Sequence, residues 1–200
     1  VTILPNAIEL TRYRFSAADR EAVRAKIGAD EHTLVVGHIG RFVFPKNHAF
    51  LLQIFRALLH VHPDAILMLA GEGELLEETQ ALASKLGIEA NVHFLGVRND
   101  ANRLYSAMDV FCLPSFFEGL PVVMVEALAN GLCCVVSDQV TRELNAFSVK
   151  QLPLKADTAR WAEALRSAKR TESAPDAFYA QFDIARTAKQ LEAFYLRQNK

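Results

Sequence analysis

The sequence predicts an α/β fold, a doubly wound parallel sheet of the Rossmann-like type formed by one domain. Continuous apolar runs of strand length alternate with segments whose apolar residues recur at helical spacing, which is the order of βαβ units. Hydrophobic residues make up 51% of the 200 positions, enough to bury a substantial core. Four of the strand-like runs lead into segments with glycine and charged residues. Because ligands of such sheets bind beyond the carboxyl ends of the strands, we expect a site at that edge.

The predicted strands are short apolar runs of the kind that suits a parallel sheet covered on both faces. In order, they cover residues 1–6, 34–40, 65–70, 91–95, 109–113 and 132–136, with weaker strand character at 149–152. Pro5 and Asn6 close the first run with a turn signal.

The predicted helices lie between these strands and carry cap residues or an apolar stripe. Ser16 and Asn47 are expected to cap the first two helices, while Gly28 and Gly131 end the first and the central helix. The other helices are expected at about residues 74–86, 101–107, 121–130, 158–169 and 184–197. Residues 170–174 are expected to form a loose surface turn between the last two helices.

Composition excludes several classes of protein. Lys and Arg number 22 against 23 Asp and Glu, so the chain lacks the basic footprint of a nucleic-acid or polybasic membrane binder. No apolar run approaches the roughly 20 residues of a membrane span. Cys112, Cys133 and Cys134 lie in strand-like runs and predict buried thiols of a reducing cytosol. The start has neither Met nor signal-peptide features and is typical of a cut inside a longer protein.

The helix predicted at residues 121–130 is apolar on every face, which indicates a buried helix. Pro121 suits its first turn, where a missing N–H costs nothing. Glu126 lies in this helix, although a carboxylate is almost never fully buried without a partner. We therefore expect Glu126 either to meet a polar partner, such as an arginine or lysine, or to face a cleft that a ligand fills.

The loop before this helix predicts an anion site. Gly119 lets a ligand approach the backbone, and the N–H groups of Leu120, Val122 and Val123 point out of the positive end of the helix. Glu118 in the same loop is, by itself, equally well explained as a solvated surface residue.

A second anion-binding segment follows the strand at 34–40. Gly40, Arg41 and Lys46 combine a flexible backbone with a planar donor fork and a mobile charge, the groups that suit a diphosphate. The alternative is that both cations are solvated loop charges. His38 and His48 nearby, like His93, lack metal-ligand spacing and are expected to be structural or surface residues.

Glu118 and Glu126, seven residues apart within Ser-x-x-Glu-Gly-x-Pro and its helix, resemble the E-x7-E motif of retaining glycosyltransferases. These are group 1 (family 4) enzymes with two Rossmann-like domains, the B-type architecture. The resemblance runs from residue 4 to 195 and is nearest to the capsular and exopolysaccharide branch, through residues 45–48, 94–96 and 114–126. It implies that residues 1–200 are the C-terminal, nucleotide-sugar-binding domain, without the N-terminal acceptor domain.

The resemblance also implies roles for the site residues. Glu126 would accept the ribose hydroxyls, Glu118 would contact the sugar ring, and Arg41 with Lys46 would hold the diphosphate. The loop after Gly71 would lie near the nucleotide, although Gly71-Glu-Gly73 lacks the spacing of a dinucleotide fingerprint and is typical of simple strain relief.

By the same resemblance, the backbone at Val97 would contact the base and Arg98 would lie at the edge of the base. The donor would be a nucleoside diphosphate sugar, with uridine as the expected base, and neither a metal nor a cofactor would be needed.

The implied activity is that of a hexosyltransferase, with the isolated domain inactive in transfer. A lipid-linked or glycan acceptor in capsule or exopolysaccharide synthesis would bind through the N-terminal domain. The expected location is the cytoplasm, at the inner face of the membrane through that missing domain. Two alternatives remain, a nucleotide-sugar 2-epimerase domain and a nucleotide-binding module without catalysis.

Overall fold

In a computed structural model, which describes residues 6–171 and 173–198, six parallel strands form a sheet in the order β3-β2-β1-β4-β5-β6. The strands are β1 (Val35–Ile39), β2 (Ile66–Ala70), β3 (Val92–Phe94), β4 (Val110–Leu113), β5 (Cys133–Ser137) and β6 (Val149–Leu152). Each of the predicted strands from residue 34 onward is present. The predicted strand at 1–6 lies, apart from Asn6, outside the described residues.

The helices are α1 (Ala17–Lys26), α2 (His48–Leu59), α3 (Leu76–Lys85), α4 (Ala101–Ala107), α5 (Val122–Ala129), α6 (Thr158–Arg166), α7 (Asp176–Phe182) and α8 (Ile184–Gln198). Short 3-10 helices cover Leu10–Tyr13, Phe44–Lys46 and Glu89–Asn91. Ser16 caps α1 as predicted, because its hydroxyl accepts a hydrogen bond from the Asp19 N–H at 3.2 Å. None of the helices within the described ranges is both long and apolar enough to cross a bilayer.

Helices cover both faces of the sheet, which confirms the doubly wound prediction. One core layer includes side chains of α1, α4, α5 and α7, and the other includes side chains of α2, α3 and α6. Along β4, Phe111 packs into the first layer and Cys112 into the second, the alternation expected of a strand. The three cysteines are free and buried, as predicted.

Strand order reverses between β1 and β4. From β1 the chain adds β2 and β3 on one side, then returns to β4 on the other side of β1. In a sheet of this topology, the crevice outside the carboxyl ends of the two strands at the reversal is the general ligand site. The loops after β1 and β4 therefore form the walls of that crevice.

The region after α6 differs from the prediction. The segment predicted as a loose turn between the last two helices begins at an anchored residue, Arg170, and α7 lies between this segment and α8. Glu172 of the segment lies outside the described residues. The Arg170 guanidinium donates to the carbonyl oxygens of Tyr105 and Met108 at 3.2 and 2.8 Å and to Asn130 O at 2.7 Å. The sequence did not predict α7, because this helix has only seven residues. It did not predict the contacts of Arg170 either, because they join segments that are distant in the chain.

Two helix starts also differ from the prediction. α5 begins at Val122, so Pro121 precedes the helix instead of forming its first turn. The helix is not buried on every face, because Val122 remains 39% exposed. Asn47 stands at the N-cap position of α2 with a left-handed backbone, but its side chain does not cap the helix. The amide instead donates to Pro114 O at 3.1 Å and so joins the loops after β1 and β4.

Candidate functional site

The loops after β1, β2, β3 and β4 meet at the carboxyl edge of the sheet, as the sequence predicted. Backbone hydrogen bonds connect them in a row. Gly71 donates to Gly96 O at 2.8 Å, Phe42 to Glu72 O at 2.8 Å and Phe116 to Pro45 O at 2.8 Å. Such bonds hold the crevice walls at fixed positions.

Gly71 and Gly73 do more than relieve local strain. Their φ angles are 140° and 152°, a region that other residues rarely adopt. A Cβ atom on Gly71 would overlap the Gly40 carbonyl oxygen, and one on Gly73 would overlap the Phe42 carbonyl oxygen. Both glycines therefore let the loop that carries Gly40 and Arg41 lie directly against the loop after β2.

Lys46 and Glu118, assigned to different parts of the donor by resemblance, form one ion pair. The Lys46 Nζ lies 2.5 Å from Glu118 Oε1, and the two side chains are 18% and 17% exposed. Ser115 Oγ also donates to Glu118 Oε1, at 3.2 Å. The pair is neutral in total, so it supplies little net positive potential to the crevice.

Arg41 keeps its charge available. Its side chain is exposed, and within the described part of the chain nothing forms a hydrogen bond or an ion pair with its guanidinium. Gly40 directly precedes it at the end of β1, with its N–H bound to Ala70 O at 2.9 Å. Arg41 is thus an unpaired cation at the mouth of the crevice.

The start of α5 faces the same crevice. The first N–H groups of a helix have no partner inside the helix, so those of Val122 and Val123 are open to an acceptor. Gly119 is exposed with open space where a side chain would stand, and Leu120 is half-buried. The geometry is that of an anion site at a helix end with a cation nearby.

Glu126 has the polar partner that the sequence required, but this partner is a tyrosine. The Tyr105 hydroxyl donates to Glu126 Oε2 at 2.7 Å, and no arginine or lysine of the described residues pairs with the carboxylate. Tyr105 is fully buried, whereas Glu126 is half-buried. Burial, followed by the Glu126 carboxylate, raises the pKa of the neighbouring Tyr13 to about 12.

Val97 and Arg98 lie at the predicted edge, after β3. Val97 is 62% exposed. Arg98 is not free, because its guanidinium donates to both carboxylate oxygens of Asp100 at 2.8 and 2.7 Å. This bidentate contact raises the pKa of Arg98 and lowers that of Asp100.

His38 and His48 are buried structural residues, which agrees with the prediction. Their ring centroids lie 4.7 Å apart, and His48 also stacks on Phe42 at 4.2 Å. His38 Nδ1 forms a hydrogen bond with Cys112 O at 2.8 Å. Burial lowers the pKa of His38 to about 4 and that of His48 to about 2, so both rings are neutral near pH 7.

Sequence reasoning missed Tyr105, Tyr13 and Ser115. No local signal connects Tyr105 to Glu126, because the two residues are 21 positions apart and lie on different helices. Tyr13 belongs to a 3-10 helix that no apolar period indicates. Of these three residues, only Ser115 could have been found from the sequence, because it stands three residues before Glu118 in the Ser-x-x-Glu motif.

The prediction that no metal is needed stays a prediction. Within residues 6–171 and 173–198, no cluster of three or more His, Cys, Asp or Glu residues has the arrangement of a metal site.

Comparison with solved structures supports the fold. WaaG, a glycosyltransferase involved in lipopolysaccharide biosynthesis, superposes with a TM-score of 0.72 and 25% identity over 82% of this chain and 46% of WaaG. HepE of Anabaena in complex with UDP superposes with a TM-score of 0.82 and 21% identity, covering 98% of this chain and 57% of HepE.

Sequence comparison identifies the family. EpsF of Bacillus subtilis, a protein named as a glycosyltransferase, is 40% identical over 172 residues, which cover 84% of this chain and 44% of EpsF. An Escherichia coli UDP-Gal:alpha-D-GlcNAc-diphosphoundecaprenol alpha-1,3-galactosyltransferase is 28% identical over 69% of this chain and 36% of the enzyme. The chain thus spans less than half the length of these relatives. The profile described as "Glycosyl transferases group 1" matches residues 19–181. This chain therefore belongs to the group 1 glycosyl transferase family.

Proposed function

We propose that this chain is the donor-binding domain of a retaining glycosyltransferase and that it binds a UDP-sugar in the crevice between β1 and β4. The observation that carries this proposal is the convergence of three cationic or dipolar groups at the point where strand order reverses. These groups are the unpaired Arg41, the Lys46 ammonium and the start of α5 at Val122. A diphosphate is the ligand whose charge suits all three.

The diphosphate is the leaving group of the proposed reaction, so negative charge develops there as the bond to the sugar breaks. Fixed donors directed at that charge are the main means by which a protein accelerates such a step. Arg41 offers a planar fork, and the N–H groups of Val122 and Val123 offer two more donors.

Lys46 changes its partner in this proposal. When no UDP-sugar is bound, Lys46 pairs with Glu118, with its Nζ 2.5 Å from Oε1. A diphosphate in the crevice competes with Glu118 for the ammonium, and the released carboxylate is then free to accept a hydroxyl of the transferred sugar. The ion pair thus keeps both groups satisfied while the site awaits the donor.

Glu118→Gln tests this exchange. The amide is a weaker competitor for Lys46, so we expect the variant to bind UDP at least as tightly as the wild type. We expect the same variant to lose the additional affinity that the sugar of UDP-glucose or UDP-galactose gives. Weaker binding of UDP itself would show that Glu118 does not compete with the phosphates.

The other parts of the UDP-sugar contact the remaining segments of the site. Glu126 accepts the ribose hydroxyls, and the exposed backbone around Val97 contacts the base, with Arg98 at the edge of the base. Gly40 and Gly71 lie at the strand ends beside the proposed nucleotide, where Gly71 lets the loop after β1 pack against the loop after β2.

Relatives support the proposed donor and acceptor. The E. coli relative is named for UDP-Gal as donor and for a diphosphoundecaprenol acceptor, and HepE has been solved with UDP and with UDP and glucose. These names support uridine as the base and a lipid-linked or glycan acceptor. In this proposal an N-terminal domain of the whole protein holds that acceptor. The proposed process is capsule or exopolysaccharide synthesis, at the inner face of the membrane.

Calorimetric titration with UDP, GDP, ADP and uridine tests the proposal. We expect UDP to bind most tightly. Arg41→Ala should weaken the affinity for UDP about ten-fold or more, because one charge-assisted phosphate contact is lost. The affinity for uridine should not change. Arg56→Ala, which removes an exposed arginine in the last turn of α2, is the matched control. Equal losses for UDP and uridine in Arg41→Ala would contradict phosphate binding at this loop.

A further inference from the structure

The Tyr105 hydroxyl occupies Glu126 Oε2, and Tyr13 is a second tyrosine beside the same carboxylate. The buried Tyr105 hydroxyl donates a hydrogen bond to Glu126 Oε2 at 2.7 Å. Each carboxylate oxygen has two lone pairs, so acceptor positions remain for a ligand. Glu126 is one helical turn after Val122, so the two side chains share a face of α5. Because Val122 is 39% exposed and stands at the crevice, the available side of the half-buried carboxylate lies toward the crevice.

The Tyr105 side chain is held in place by packing, so it cannot move with the Glu126 carboxylate if that group rotates. The ring is fully buried, with the rings of Tyr13 and Phe111 at centroid distances of 6.1 and 6.0 Å. Its backbone carbonyl accepts a hydrogen bond from Arg170 at 3.2 Å, which anchors this turn of α4. The hydroxyl position is therefore set by packing before any ligand arrives.

Tyr105 also stays a donor at any ordinary pH. Burial, followed by the neighbouring Glu126 carboxylate, raises the pKa of its hydroxyl well above its usual value. A phenol that keeps its proton fixes which oxygen of Glu126 it holds. The carboxylate then presents its remaining lone pairs in one orientation.

We propose that Tyr105 is a positioning residue that orients Glu126 to accept the vicinal hydroxyls of a ribose, and that this contact makes the site select ribonucleotides over deoxyribonucleotides. This inference rests on the proposed nucleotide site. A single oriented carboxylate can accept from two neighbouring O–H groups, whereas a deoxyribose lacks one of them and leaves a half-buried acceptor unmatched.

Ligand analogues separate this role from a merely structural one. Dissociation constants for UDP, 2′-deoxy-UDP and 3′-deoxy-UDP are measured calorimetrically for the wild type, Tyr105→Phe and Tyr179→Phe. Tyr179→Phe is the matched control, because it removes a hydroxyl on α7 that forms no hydrogen bond with Glu126. The melting temperature of each variant shows whether the fold is kept.

We expect the wild type to prefer UDP about ten-fold or more over at least one deoxy analogue, the loss expected for a hydrogen bond to a charged group. Tyr105→Phe should bind UDP more weakly but bind that analogue almost as the wild type does, so the preference shrinks to about three-fold or less. Tyr179→Phe should keep the full preference.

Glu126→Gln keeps the test decisive even if Tyr105→Phe does not fold. Tyr105 would then hold the amide oxygen and turn the NH2 group, which cannot accept a hydrogen bond, toward the crevice. The preference for ribose should therefore disappear in Glu126→Gln. A full preference retained in either variant would overturn the inference while leaving the nucleotide site standing. Failure of the wild type to bind any nucleoside diphosphate would overturn the proposed function, and this inference with it.

Discussion

His38 and His48 place two neutral imidazoles directly below the loop that carries Lys46. A Cβ atom on Gly40 would lie 3.2 Å from His38 Nε2 and 3.5 Å from Lys46 Cε, so the ring and the lysine are neighbours. His38 Nε2 and both ring nitrogens of His48 have no hydrogen-bond partner among the described residues. Burial and the nearby Lys46 charge both oppose protonation of these rings.

This pair predicts acid sensitivity. In the unfolded chain both histidines titrate near pH 6.5, whereas in the folded protein their pKa values are about 4 and about 2. As the pH falls below 6.5, the unfolded chain binds protons that the folded protein does not, so the free energy of unfolding decreases. At roughly 1.4 kcal/mol per pH unit, each histidine should contribute a loss of about 2 kcal/mol at pH 5.

Urea unfolding at pH 7 and pH 5 measures this loss. We expect His48→Gln to remove about half of the histidine contribution, or about 2 kcal/mol. His32→Gln, at a side chain that is 84% exposed, is the control and should behave like the wild type. If His48→Gln lost as much stability between the two pH values as the wild type does, the ring would not resist protonation in the fold.

At the scale of single residues, the sequence predicted which side chains line the crevice but not how they pair. Arg41, Lys46 and Glu118 could be placed there because each follows a predicted strand. The pairing of Lys46 with Glu118 could not be predicted, because it depends on the distance between two loops 72 residues apart in the chain. The hydrogen bond between Tyr105 and Glu126 could not be predicted either, because it also joins residues that are distant in the chain.

At the scale of elements, the close approach of loops explains the glycine at position 71. Gly71→Ala places a Cβ atom on the Gly40 carbonyl oxygen, in addition to forcing an unfavourable φ. Gly87→Ala is the matched control, since its φ is also positive, at 69°, but nothing lies within 4 Å of the added atom. We expect Gly71→Ala to lose roughly 1–3 kcal/mol more free energy of unfolding than Gly87→Ala. Equal losses would mean that the loops can separate without cost.

At the opposite edge of the sheet, Asp109 joins three elements just before β4. Its carboxylate lies 2.6 Å from Arg20 and 3.1 Å from Arg24, and it accepts the Val35 N–H at 2.8 Å. The two arginines also donate to the carbonyl oxygens at the end of α4. This cluster fixes α1 and α4 at the start of β1 and β4.

Removing the Asp109 charge should therefore destabilise the whole fold. Asp109→Asn leaves the Arg24 side chain, which is 5% exposed, without its counter-charge, and we expect a loss of about 3 kcal/mol in urea unfolding. Glu163→Gln breaks the exposed pair with Arg166 on α6 and should change stability far less. A small effect of Asp109→Asn would show that water solvates Arg24 adequately.

The sequence predicted most elements because their apolar runs are regular, and it failed where packing decides. α7 is too short to show a period, and Arg170 is held by carbonyl groups that no pattern reveals. Val122 remains exposed although it is apolar, because it is the first residue of α5, at the crevice. Asn47 adopts a left-handed backbone and binds Pro114 O instead of capping α2.

At the scale of the whole molecule, the two edges of the sheet have different tasks. The carboxyl edge carries the exposed cation, the neutral ion pair and the start of α5. The amino edge carries the Asp109 cluster, whose charged groups pair with one another. A nucleotide should therefore perturb one edge and leave the other unchanged.

The nine glycines of the chain report on both edges. Gly40, Gly71, Gly96 and Gly119 lie at the carboxyl ends of strands or in the loop before α5, whereas Gly28, Gly87 and Gly131 follow helices at the amino edge. NMR spectra of protein labelled with 15N-glycine, recorded during titration with UDP, show which edge of the sheet the nucleotide perturbs. We expect saturable shifts for the first group and almost none for the second. Shifts confined to Gly28, Gly87 and Gly131, or no saturable shift at all, would contradict a nucleotide site between β1 and β4.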